Sequence, residues 1–201
     1  MLVNGSRLKN FPVLSLHLGG PAARTQELIV DPKKFQIVGF YVDGASVRNG
    51  ESGNILESNA VREYSKLGMI VDSTDDFVNE GDVIRLDEII KLRFKLDGLK
   101  VITKKKTKLG KVVDFTVDTE NFKILQIIVQ RPPLKAFIDP ELVISRKEIV
   151  EISNEKIVVK DEEEKIRKKA MKEDFVPNFV NPFREPNFAP ADSQSPGGRD
   201  S

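Results

Sequence analysis

Asp114 and Asp118 are the carboxylates that first invite a chemical reading, because a close acid pair can hold a metal ion or share a proton. Four apart on a strand, they face the same side but stand roughly 13 Å apart at about 3.3 Å per residue. That separation is too wide for one ion or one shared proton. Their matches Glu27 and Asp31 suggest turn and strand-end roles instead. His17 is the only histidine and the chain has no cysteine, so neither a transition-metal site nor a Ser-His arrangement can be assembled around it. A partly exposed strand residue is expected there. Catalytic, cofactor and metal roles fall to no residue.

Binding chemistry has better candidates. Lys104, Lys105, Lys106 and Lys108 form the densest cationic point, able to touch phosphates. No aromatic residue stands among them to stack on a base, and a solvated hairpin tip has the same composition. Phe175, Phe179, Phe183 and Phe188 recur in a proline-rich stretch that cannot continue a helix. Aromatic side chains there either fold back onto the body of the protein or dock in a partner's groove. The glycines at Gly19-Gly20-Pro21 and Gly50–Gly53 lack the strand and helix that flank a phosphate loop, and read as turns.

The elements that must position these residues come in two copies. Asp31–Val42 returns without a gap at Asp118–Val129, with Asp31/Asp118, Phe35/Phe122, Ile37/Ile124 and Val42/Val129 identical. Self-similarity at a fixed offset means one structural unit used twice. The second copy predicts strands at Leu92–Leu96, Leu99–Ile102 and a long hairpin over Lys111–Val129, with Val113, Phe115 and Val117 alternating on one face. Further strands are expected near Ala136–Ile138, Leu142–Ile144, Glu148–Ser153 and Lys156–Val159. In the first copy, Ile55-Leu56 is matched with Ile138, and Met69–Val71 with Phe77-Val78 is read as the closing hairpin, the offset slipping to about 81. The expected division is a first domain over 1–80, a linker over 81–91 with one helical turn near Asp87–Ile90, and a second domain over 92–160. A charged helix over 161–174 and a Phe/Pro-rich, largely disordered tail over 175–201 follow.

The second copy resembles a PRC-barrel domain. Gly98-Leu99-Lys100-Val101, Leu109-Gly110-Lys111-Val112-Val113-Asp114 and Ile124–Val129 carry the resemblance, and the first copy shares it less closely because it lacks the Gly-Lys turn. The resemblance implies an all-β architecture of two tandem small barrels. It also implies a non-enzymatic interaction or assembly module, since the family transfers no catalytic residue. A barrel of this size fills its interior with side chains and leaves little room for a substrate.

Composition limits the partners. Lys+Arg (32) and Asp+Glu (31) nearly balance, so no bulk field draws the chain to nucleic acid or an anionic membrane. No apolar run approaches the ~20 residues of a spanning helix, and no leader pattern opens the sequence. A cytoplasmic protein that binds a protein partner is expected, without cofactor, membrane anchor or small-molecule substrate. The alternative is an RNA-binding or ribosome-maturation factor that uses the basic hairpin and helix.

Overall fold

Alternating and β-branched stretches give strands, and the repeated stretch decides how they pair. The computed structural model of the chain describes residues 1–132 and 140–161. Its first half contains β1 (Leu2–Asn4), β2 (Pro12–Ser15), β3 (Gly20–Asp31), β4 (Gln36–Gly44), α1 (Ala45–Arg48), β5 (Ile55–Glu57), β6 (Glu63–Tyr64), β7 (Met69–Val71) and β8 (Phe77–Val78). A helix, α2 (Ile84–Lys91), leads to β9 (Lys100–Thr103), β10 (Lys108–Asp118), β11 (Lys123–Gln130), β12 (Glu141–Ser145), β13 (Ile149–Ile152) and β14 (Lys156–Val159).

The protein is mostly β, and its sheet curls. The strand order β13-β14-β9-β10-β11-β4-β3-β2-β7-β6 has matching connections from either end. In each half the long hairpin lies centrally, one strand joins it in parallel (β7 on β2, β14 on β9), and a short strand (β5, β12) pairs the hairpin's second arm. Even the register shifts correspond: one between β2 and β3 is matched between β9 and β10.

At the seam the copies meet at equivalent residues. Gln36 lies opposite Lys123; Ile37 N–H donates to Phe122 O (2.9 Å), and Ile124 N–H to Phe35 O (3.0 Å). Phe35 and Phe122 both adopt left-handed backbone (φ 52° and 53°), sparse for residues other than glycine, yet both are buried. Asp31 holds the preceding turn by accepting from Lys33 and Lys34 N–H, as Asp118 does from Glu120 N–H. Phe40 meets Phe122 edge to face, so one apolar core runs through both halves.

Each half's lead-in segment packs on the other half. β1 pairs with β10, and Ser6 donates through N–H (3.1 Å) and Oγ (2.7 Å) to the Asp114 carboxylate. Reciprocally, α2 lies against β3, and Lys95 pairs with Glu27, the match of Asp114. Through this exchange and the shared core the halves form one continuous sheet, where two tandem small barrels were expected.

Several local expectations change. The 81–91 linker contains the eight-residue α2, whose Leu86 is buried against Ile29, Val38 and Ile55. Leu92–Leu96 is not a strand, because Arg93 turns left-handed (φ 47°) after the helix, although Phe94 and Leu96 are buried. A bulge between Val112 and Asp114 turns Val113 outward, leaving Phe115 and Val117 inside. The offset does not slip to 81: Leu56 and Ile144 occupy equivalent places on β5 and β12, as do Met69 and Ile157 on β7 and β14, at an offset of 88. The counterpart of β14 therefore pairs with β6, while β8 pairs with β5 and closes no hairpin with β7. The expected strand at Ala136–Ile138, the charged helix and the tail lie outside the described residues.

Candidate interaction surface

The anticipated cationic tip lies in the turn between β9 and β10. Thr103 N–H donates to Thr107 O, Lys104 N–H to Val159 O, and Lys106 takes a left-handed conformation (φ 64°). Lys104, Lys105, Lys106 and Lys108 are all exposed. Asp161 approaches this tip, its carboxylate accepting from Lys105 N–H (3.4 Å).

The strands beside the tip extend the charge into a surface that local sequence did not reveal. Lys100 stands directly opposite Lys156 on β14 and opposite Lys111 on β10. Direct cross-strand neighbours share a face, so three ammonium-bearing side chains stand in a row. Two residues along, Ile102 lies between Val158 and Lys108 and supplies an apolar floor. The bulge between Lys108 and Gly110 lets both Lys108 and Lys111 line this face, although their odd spacing would place them on opposite sides of a regular strand. Arg131 and Pro132 close the far side of the groove, which has a volume of about 380 Å³. Among the described residues, Lys100, Lys108, Lys111 and Lys156 form no ion pair. Like charges directly opposite destabilise a strand pair by a few tenths of a kcal/mol to about 1.

Gly110 makes this geometry possible. Its φ of 152° is poorly open to other residues, and a Cβ there would lie 1.9 Å from Gln130 O. The Gly-Lys turn is thus a steric requirement at a close strand approach, and no ligand is needed to explain it.

The other singled-out residues have structural places. Asp114 and Asp118 receive the strap and turn bonds described above. His17 lies in the turn after β2 and not on a strand, with its N–H donated to Asp72 O (3.0 Å). Gly19 and Gly50 are turn glycines with positive φ, whereas Gly20 and Pro21, expected in the same turn as Gly19, open β3. Phe175, Phe179, Phe183 and Phe188 lie outside the described residues. Among the described residues no group of three His, Cys, Asp or Glu side chains gathers, and no helix is long and apolar enough to cross a membrane. Burial, and then a 2.7 Å hydrogen bond to Glu80, push the Tyr41 phenol up to about 12; burial also raises Tyr64.

A mostly β chain with a curled sheet and a cationic outer groove is the class these observations define. Within it, residues 88–166 match the family model of the PRC-barrel domain, which supports the resemblance carried by Gly98–Val129. No curated protein matches the chain.

Proposed function

We propose that this chain is a non-enzymatic interaction or assembly module, built from two diverged PRC-barrel-like units, whose second unit binds an acidic segment of a protein partner. The observation that carries this reading is the row Lys156–Lys100–Lys111, whose mutual repulsion is relieved by a polyanionic partner. An apolar floor at Ile102 beside charged walls suits a peptide with alternating acidic and apolar residues. No cofactor, catalytic group or membrane anchor enters the proposal, and a cytoplasmic setting is part of it. The test is affinity capture with the full chain, with and without nuclease, beside the variant Lys100→Glu/Lys111→Glu, whose fold is checked by circular dichroism. Capture of a protein that survives nuclease and disappears in the folded variant supports the reading. Equal capture by both chains overturns it.

A second reading, RNA or ribosome-assembly binding, draws on the continuity of this row with Lys104, Lys105, Lys106 and Lys108. It requires capture that nuclease abolishes and affinity that falls steeply with salt.

A further inference from the structure

The outer faces of the two hairpins are covered unequally. In the first half, Ile29, Val38 and Ile55 are buried beneath α2, with Tyr41 at the margin. The corresponding positions in the second half are Thr116, Leu125, Val143 and Ile128, as the strand registers require. Ile55 is 0% exposed, whereas Val143 is 54% exposed; Leu125 and Ile128 remain half-buried. An apolar strip thus lies open where its counterpart is sealed.

The path of the chain indicates what covers it. In the first half, the segment after β7 leaves beside the β2–β3 turn, forms β8 along β5 and returns as α2 over the face. After β14 the chain leaves the equivalent place, beside the β9–β10 turn, where Asp161 meets Lys105 N–H. Residues 162–201 then remain, more chain than 72–91 uses for the whole excursion. Counted along the sequence at the offset of 88, Ile166 corresponds to Val78 and Met171 to Val83, two residues packed against the first-half strip, and Asp174 to the buried Leu86. Phe175 and Phe179 follow in the sequence, at the numbers of Asp87 and Lys91 of α2.

We infer that the chain's own C-terminal segment, Ile166 through Phe179, docks on the strip formed by Leu125, Ile128 and Val143 and takes the place that β8 and α2 hold in the first half. The phenylalanines are then an internal cover, and the cationic groove stays available to a partner. This inference stands apart from the identity of that partner.

The absence of cysteine allows one nitroxide to be placed in the full chain through Asn178→Cys. Methyl spectra are expected to lose the Leu125, Ile128 and Val143 signals while keeping those of Ile55 and Leu86. Val143→Lys in the tagged chain should restore the Leu125 and Ile128 signals, as should Phe175→Ala/Phe179→Ala. Signals that persist at all three positions overturn the inference. So does loss that appears only when tagged and isotope-labelled chains are different molecules, which would assign the strip to a second copy. Loss unaffected by Val143→Lys overturns it as well.

Discussion

On the outer side of β2, β3 and β7, with Gly68 just before β7, stand Pro12, Leu14, Arg24, Gly68 and Ile70; at the corresponding places on β9, β10 and β14 stand Lys100, Ile102, Lys111, Lys156 and Val158. The turns beside them diverge in the same sense. Leu16-His17-Leu18 ends the first hairpin, with both leucines exposed, and Lys104–Lys106 ends the second. The ladders are alike, and the surfaces are not. Pairing order depends on inward residues and turn chemistry, which both copies retain, and outward positions were free to acquire opposite characters. The close approach between hairpin arms shows the same freedom. In the second half the glycine is Gly110, on the first arm. In the first half that place holds Ala23, and Gly44 on the second arm provides the space, since a Cβ there would lie 2.2 Å from Ala22 O.

The largest expected effect concerns whether the halves are one cooperative unit. Phe122→Ala should cost about 3–5 kcal/mol, as should Phe35→Ala, and each should leave a single unfolding transition because both rings belong to the shared core. Two separated transitions in urea, monitored by circular dichroism and methyl spectra, would show that the halves unfold independently.

Next come the crossed glycines. Gly110→Ala and Gly44→Ala should each lower stability by about 1–3 kcal/mol, with Gly110 the more damaging because its φ is also strained. Equal tolerance at both sites in denaturant titrations would mean that the arms separate easily and that the comparison is misdrawn.

Alkaline pH should act through the first half. The folded Tyr41 phenol ionises near 12, above its unfolded value near 10, so the native state holds the proton more tightly. Its contribution is complete below pH 10 and is lost as pH rises through 12. Tyr41→Phe should flatten that part of the stability–pH curve, whereas replacing Ile128, its second-half counterpart, should leave the slope alone. An unchanged slope in Tyr41→Phe would remove the Glu80-bonded phenol as the cause.

The smallest stability effect belongs to the basic tip. Lys104→Ala/Lys106→Ala should change unfolding by no more than about 0.5 kcal/mol, as expected for exposed positions. If RNA is the ligand, the same change should reduce the salt slope of binding by about 1 for each phosphate that is no longer neutralised. A change in stability without a change in slope would mark the tip as structural.

The amino-acid sequence by itself determined the likeness of Asp31–Val42 to Asp118–Val129, the long second-half hairpin over Lys111–Val129, and the turn duty of Asp31 and Asp118. These are local facts: periodicity, β-branching and turn residues act over a few positions, and the copies reinforce one another. It also located the Lys104–Lys108 tip. Tertiary structure alone decided that Lys156, Lys100 and Lys111 stand abreast, that Val113 turns outward, and that each lead-in segment straps the opposite half. Those outcomes depend on register between distant strands and on single-residue bulges. One inserted residue reverses which side a strand presents, and no local pattern records where a remote partner will compensate for it.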